Sequence, residues 1–552
     1  MADFPTDAGF DAALPRDQRS LVRSLTESAV CLLIAVMLFR TFAAEGYMIS
    51  TGSMAPHLLG FHKRVECPSC RHVFPFGVAY DTDPAGVSAA ETDRQRSHAV
   101  CPNCGQTGIN LADVPRNHGD QLLVFKPAYG FRPPERWEVV VFRNPHNPRE
   151  AYVKRVVGLP DERVQIIDGD VYADGNLCRK DWDRQRQLRV LVHDHRYEPA
   201  DDASHRSVWQ PLRDPGDNAP GWTADGDRFV LSATQSTDWA WVEYAGGVPP
   251  RGRLETAVAP VTWPRDIDPT HIPPAGLKYD PREQRLSCIG PLPDAVRDVL
   301  LDHPGDETFH EKVRELYEQS HIAPVTDLYG YNPPENDLTP VPVRDVMIAL
   351  TVQQLTGDGE FTIELTDGAA NYTAVFDRGR HQLRLYAGEH PDPVSQDDLS
   401  ADFGTAATTL EMSLFDRQVL VAINGQPVLS PWTFETPADT PAPKYPVRFG
   451  AQSLSGEVSD LTLYRDVYYT STRAKHGVQR PYKLEGDELF VLGDNSPVSH
   501  DSRRWPDGAV AMSLLVGKPF VVHLPSKPGR LHIGNFETPL RLPDFERMQW
   551  LK

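Results

Sequence analysis

Hydrophobic and polar positions divide the chain into one long apolar run and many short alternating ones. The long run centres on Ala29-Val-Cys-Leu-Leu-Ile-Ala-Val-Met-Leu-Phe39, and residues 28–39 carry no charge. A bilayer needs roughly 20 mostly apolar residues. The spanning segment is therefore read as 21–44, with Arg23, Glu27 and Arg40 near its ends, where a long arginine can snorkel to the headgroups. The alternatives are a buried helix or a cleaved leader; a retained signal-anchor helix is the expectation. Arg16, Arg19 and Arg23 favour a cytoplasmic tail over 1–20, with the rest of the chain outside.

Downstream, apolar residues recur with period two, as strands require. A β-branched run from Tyr152 ends in Gly158-Leu-Pro-Asp161, and the apolar stretch 488–492 precedes a polar loop. Further strands are predicted at 346–355, 361–366, 371–376, 382–386, 409–415, 418–423 and 447–451, with turns at Gly357-Asp-Gly359, Asp367-Gly368 and Asn424-Gly425. One helix is predicted at 307–319, inside a proline-rich stretch, 266–342. Many short strands with glycine-bearing turns suit a β-sandwich, and the fold class is mainly β.

Composition narrows the functions. The chain has 552 residues, enough for about three or four domains. Lysine plus arginine number 56 against 76 acidic residues, a net charge of −20, which argues against a nucleic-acid partner. A mean hydropathy of −0.42 excludes a polytopic membrane protein but leaves room for one anchor. The 7 cysteines are too few for a disulfide scaffold in a chain of this length.

Three segments carry candidate chemistry. Thr51-Gly-Ser-Met54 follows the anchor closely, Tyr152-Val-Lys-Arg155 opens the β-branched run, and Gly493-Asp-Asn-Ser-Pro-Val-Ser-His-Asp-Ser-Arg503 follows the apolar stretch 488–492. A serine hydroxyl is a poor nucleophile near neutral pH and needs a neighbouring base. A lysine serves only when neutral, which requires burial in apolar surroundings, and Val153, Val156, Val157 and Leu159 surround Lys154 in sequence. Alone, each segment reads equally as a turn, a strand with a solvated lysine, or a surface loop. No Gly-x-Ser-x-Gly elbow is present, and His310-Glu311 fails the HExxH pattern because Arg314 stands at the second histidine position.

In this order, with Gly119-Asp-Gln-Leu-Leu-Val124 and Trp137-Glu-Val-Val-Val-Phe142 between them, the segments resemble the type I signal peptidases (leader peptidases, family S26), membrane-anchored Ser-Lys proteases. The resemblance covers residues 20–60, 118–176 and 482–525. It implies a β-barrel-like catalytic core, with Ser53 as nucleophile and Lys154 as general base. By the same resemblance Thr51 joins the Ser53 N–H in the oxyanion hole and Ser499 orients the lysine. Asp494, Asp501 and Arg503 brace the site. Ile49, Leu58 and Tyr152 wall pockets for the small side chains of an Ala-x-Ala sequence. Implied with these are exported preproteins as substrates, lipid as neighbour, no catalytic cofactor, and a single-pass location in the inner membrane with the catalytic part extracytoplasmic. Pro497 and His500 depart from the family's pattern inside the Gly-Asp-Asn box.

Cys67-Pro-Ser-Cys70 and Cys101-Pro-Asn-Cys104 form two C-x-x-C pairs. Four thiolates so spaced predict a closed structural zinc site resembling a zinc ribbon; two disulfides are the competing reading in an oxidising compartment. The expected organisation is a tail (1–20), an anchor (21–44), a first core part (45–66 and 105–176) interrupted by the cysteine module (67–104), a large insertion (177–481) and a second core part (482–552). The hairpin at 419–428 and the segment 456–466 resemble concanavalin-like or laminin-G-like jelly rolls, with an earlier start near Trp209. Such an insertion binds a glycan or peptide, with Trp239, Trp241, Tyr329 and Tyr331 available for stacking, or it simply shapes access to the cleft. The alternative to a protease is a catalytically silent, membrane-tethered binding module.

Overall fold

The computed structural model describes residues 21–78, 97–199, 207–212, 221–232, 238–246, 255–264, 277–302, 307–333, 340–437, 439–523, 525–533 and 536–551. The tail predicted at 1–20 and most of the spacer between the cysteine pairs lie outside the described residues.

The N-terminal helix, Leu21–Leu38, widens into a π turn at Phe39–Ala43. Within it Arg23–Ala43 is long and apolar enough to cross a membrane. At 1.5 Å per residue those residues span about 31 Å, close to a hydrocarbon core. Over residues 23–42 its side chains are exposed among the described residues: Leu32 is 66% exposed and Phe42 69%. The predicted end at Ala44 needs correction. Ala44 is buried and opens the strand Ala44–Met48, paired with Phe125, because the neighbouring strand offers its backbone an edge to complete.

That strand starts an antiparallel sheet whose order is Ala44–Met48, Gln121–Phe125, Leu515–Val522, Val139–Asn144, Asn147–Gly158, Glu488–Leu492 and Val510–Ala511, with Gln549–Trp550 added on Leu515–Val522. Segments from both ends of the chain thus share one ladder. Its outermost members do not pair with each other, so the expected barrel-like core is an open sheet among the described residues. The last strand in the order has 2 residues, too few to carry a ladder round to closure.

The predicted sandwich is present. One sheet contains Trp222–Asp225, Arg228–Leu231, Ser455–Arg465, Val346–Thr356, Thr408–Ser413 and Gln418–Ile423. The facing sheet contains Trp209–Leu212, Ala240–Tyr244, Val447–Gln452, Glu360–Thr366, Asn371–Asp377, Gln382–Ala387 and Ser395–Asp398. Period-two alternation turns Trp209, Trp222, Phe229, Phe361, Phe376 and Phe449 into a single core between them. Each such side chain contributes about 1.5–3 kcal/mol on leaving water.

The proline-rich stretch holds more structure than its composition suggests. Glu255–Val258, Arg285–Ile289 and Lys278–Asp280 form a small sheet, covered by two helices, Asp294–Asp302 and Glu307–His321. Leu286, Leu292, Leu300, Phe309, Val313 and Leu316 are its core. From this unit the chain returns through residues 323–333 towards the sheet that begins with Ala44–Met48.

Candidate active site

Ser53 sits in a single 3-10 turn, Gly52–Met54, reached from the strand Ala44–Met48. Lys154 lies on the long strand Asn147–Gly158 and is 4% exposed. Its Nζ donates to Ser53 Oγ at 2.7 Å and to the Val153 carbonyl at 3.1 Å. Burial lowers the lysine to about 8, against the upward pull of the Asp501 and Asp494 carboxylates. Near pH 7 about one such lysine in ten is neutral, against about one in 2,500 at an ordinary pKa near 10.4. A serine hydroxyl and a buried lysine with a lowered pKa are therefore in hydrogen-bond contact.

The Gly-Asp-Asn loop holds the serine from below. Asn495 N–H donates to the Ser53 carbonyl (3.0 Å) and Asn495 Nδ2 to the Gly52 carbonyl (2.9 Å). Gly493 lies so close that a Cβ there would stand 2.5 Å from the Ser53 carbonyl oxygen and 2.2 Å from Ser499 Oγ, which explains why no side chain occupies that position. Strand alternation sends Arg155 to the face opposite Lys154. There it donates from Nε (2.8 Å) and Nη2 (2.6 Å) to Asp494, which also pairs with His57 Nδ1 at 2.9 Å. Burial pushes the Asp494 carboxyl up, but Arg155 and His57 outweigh it and hold the group well below the carboxylate range. Asp501 is likewise held down: burial opposes, while Arg503 (2.9 and 2.7 Å) and the Gly493 N–H (3.0 Å) prevail.

The remaining predicted residues are less tightly gathered. Thr51 is exposed, in extended backbone just before the turn. Ser499 Oγ is buried and makes no hydrogen bond to Lys154. Ile49 and Leu58 share an apolar cluster with Met54 and Val153, whereas Tyr152 packs in a separate one with Phe142 and Trp505. The Tyr152 ring centroid is 5.5 Å from Lys154 Nζ.

Sequence reasoning missed a strap that the insertion lends to this site. Tyr329 OH donates to the Asp494 carbonyl (2.7 Å), and Tyr331 OH to the Phe61 carbonyl (3.0 Å). Asn332 and Asn495 exchange amide hydrogen bonds at 2.8 and 2.7 Å. The expectation that Tyr329 and Tyr331 stack on a ligand is corrected: each is 6% exposed, and Tyr331 fills the space where a Cβ of Gly52 would be. Only a residue without a side chain at Gly52 admits the ring, which was the available sequence signal. Asn332→Ala is expected to lower kcat several-fold with little change in KM, since about 1 kcal/mol of positioning is lost without touching substrate; steady-state cleavage kinetics measure it.

After the Gly52–Met54 turn, the strand His62–Glu66 leads into the four cysteines. Cys67 and Cys104 sulfurs are 3.6 Å apart, as are those of Cys70 and Cys101, and all four lie within 4.8 Å of one another. Both knuckles bend alike: the Arg71 N–H donates to the Cys67 carbonyl and the Gly105 N–H to the Cys101 carbonyl, each at 3.0 Å, with both residues at positive φ. The cysteines are not joined in disulfides. Sulfurs about 2.3 Å from a tetrahedral ion are about 3.8 Å apart, so the cage fits one zinc-sized cation.

Residues 113–238 and 411–524 match the family model "Signal peptidase, peptidase S26", a match that includes Lys154 and the Gly-Asp-Asn loop and begins after Ser53. A probable signal peptidase I-2 of Synechocystis is 38% identical over 69 residues, 11% of this chain and 31% of that protein. The signal peptidase I of Leptolyngbya laminosa is 43% identical over 70 residues, 11% of this chain and 34% of the other. That of Rickettsia massiliae is 43% identical over 53 residues, covering 10% and 20%. The chain therefore spans no more than about a third of these relatives. Among solved structures, a carbohydrate-binding module, CBM66 of Bacillus subtilis, overlaps 47% of this chain and 93% of its own at 7% identity and a TM-score of 0.19. Over the matched segments, the sequence is similar to the type I signal peptidases of family S26.

Proposed function

We propose that the chain is a membrane-anchored signal peptidase that cleaves signal peptides from exported preproteins with a Ser53–Lys154 dyad. The observation that carries this is the 2.7 Å contact between Ser53 Oγ and a buried lysine whose pKa burial has lowered to about 8. Ser53 Oγ attacks the scissile carbonyl carbon as its proton passes to Lys154 Nζ. The Ser53 N–H and the Thr51 hydroxyl receive the oxyanion. When the C–N bond breaks, the Lys154 ammonium protonates the leaving amine, and a water activated by the same lysine hydrolyses the Ser53 ester. By the resemblance Ser499 would orient Lys154, through a hydrogen bond that its Oγ does not make in this structure, and Asp494, Asp501 and Arg503 keep the loop rigid.

The substrate's small residues before the cut would rest against Ile49, Leu58 and Tyr152, giving Ala-x-Ala preference by shape. The anchor keeps the site beside lipid on the extracytoplasmic side. Full-length protein in detergent, given a preprotein with an Ala-x-Ala site, is expected to release the mature chain cut after the second alanine. Ser53→Ala is expected to release none. Equal cleavage by both, or a cut elsewhere, overturns the reading.

The four cysteines are proposed to hold structural zinc that pins the strand after the nucleophile. Chelation should free four additional thiols to an aromatic disulfide reagent and lower Tm by several degrees. Absence of titratable thiols at these positions would show disulfides instead.

A further inference from the structure

Outside the protease centre, one buried cluster brings together three side chains of metal-ligating type. His193 belongs to the strand Val190–Asp194, His195 opens the 3-10 turn His195–Tyr197, and Glu198 follows it. The two histidines are 3% and 2% exposed. His195 Nδ1 is in hydrogen-bond contact with Glu198 Oε1 at 3.3 Å, His193 Nε2 stands 3.3 Å from the same oxygen without forming a hydrogen bond, and one ligand atom of each residue lies within 4.8 Å of the others.

The His193 tautomer is set from behind. Its Nδ1 is 3.3 Å from the Asn103 carbonyl, which accepts and cannot donate. The proton of the neutral ring therefore sits on Nδ1, and Nε2 turns its lone pair on a carboxylate oxygen. Nε2 is buried and forms no hydrogen bond. Two lone pairs facing each other repel unless a proton or a metal ion lies between them. The 3.3 Å spacing matches a metal: nitrogen and oxygen ligands about 2.0–2.1 Å from a tetrahedral ion are about 3.3–3.4 Å apart.

The surroundings hold these groups in place. The His195 ring stacks on Phe229 with centroids 4.9 Å apart, and Ser207 Oγ donates to Glu198 Oε1 at 3.1 Å. Asn103, inside the second cysteine knuckle, donates Nδ2 to the carbonyls of Asp194 (3.1 Å) and Tyr197 (3.0 Å) and accepts from the Asp194 N–H (2.7 Å). A histidine backed by a carbonyl is the arrangement that orients metal ligands. His193 and Ser207 also line a cavity of about 1840 Å³ shared by the protease core, the cysteine module and the insertion.

We propose that His193, His195 and Glu198 bind a divalent cation of the zinc class at the wall of this cavity, separate from the four-cysteine cage. Three protein ligands leave one position for water. The ion would pin the start of the insertion, which Asn103 holds against the second knuckle.

The full chain, purified in detergent and stripped of metal, is reloaded with zinc or cobalt(II) and freed of excess. His193→Gln and Glu198→Gln are each expected to carry one metal ion fewer per chain than wild type. Cobalt loading should give wild type weak visible bands without thiolate-to-cobalt charge transfer, in addition to any charge-transfer band from the cysteines; the variants should lose the former only. An unperturbed charge-transfer band reports that the adjoining knuckle has folded. Should either variant misfold, the thiolate-free bands of wild type, retained when the four cysteines are alkylated, decide the matter. Equal metal content in wild type and variants, or a wild-type spectrum without those bands, means that a proton alone bridges His193 and Glu198, and overturns the proposal.

Discussion

Replacing Lys154 by methionine is expected to lower kcat for preprotein cleavage by about 10²–10⁴-fold while leaving KM nearly unchanged. Methionine keeps most of the volume and apolar character of the buried lysine stem, so the strand Asn147–Gly158 and its neighbours should keep their packing. What disappears is the acceptor for the Ser53 proton, which functions in the transition state rather than in substrate binding. Cleavage kinetics with one preprotein measure both parameters. A variant that retained wild-type kcat would remove Lys154 from the chemistry. One that raised KM alone would reassign it to binding.

Asp494→Asn should produce the largest loss of stability. The carboxylate is fully buried and answers two cationic or hydrogen-bonding side chains, Arg155 and His57. Neutralising it leaves the buried Arg155 guanidinium without its counter-charge, a change that costs about 3–5 kcal/mol. A fall in Tm of the full-length protein, with early proteolysis of the loop around Asp494, reads the effect. The pH dependence follows from the same shift. Asp494 and Asp501 both have lowered folded pKa values. Their contribution is therefore fully present above the unfolded carboxylate's pKa, near about 3.9, and is lost as pH falls through the folded value. Wild type should lose stability in acid, and Asp494→Asn should lose less over that range, having already lost the pair.

Much of this molecule is written locally in its sequence. The anchor shows as one apolar run, and the sandwich strands show as alternation broken by glycine-bearing turns; residues 346–355 and 447–451, for example, become Val346–Thr356 and Val447–Gln452. Ser53 and Lys154 were legible because their boxes recur in a known order, although 101 residues separate them. What escaped depends on distant partners. Arg155 follows Lys154 directly, yet its partner Asp494 lies 339 residues on, and His57 meets the same carboxylate across 437 residues. No periodicity encodes such pairs. Tyr329 and Tyr331 carried the aromatic signature of a ligand platform, whereas tertiary packing placed them beneath the serine turn. The small unit spanning 255–321 was obscured because its strands have 3 to 5 residues, and proline-rich connections conceal its pattern.

The strap brings the insertion into direct contact with the serine turn and the Gly-Asp-Asn loop. Tyr331 packs against Gly52 and Asn332 reaches the same turn through Asn495, while the strand His62–Glu66 joins the segment after the turn to the cysteine cage. The protease sheet is thus supported by segments that the family match only partly covers.

The central claim is that burial makes Lys154 a neutral base for Ser53. Its most direct test is the pH dependence of single-turnover cleavage by the full-length enzyme, from about pH 6 to about pH 10. The account predicts a rate that climbs about tenfold per pH unit in the acid limb and levels off above an inflection near the lysine's value of about 8. A rate independent of pH across this range, or one still climbing towards an ordinary lysine's pKa near about 10.4, would contradict it.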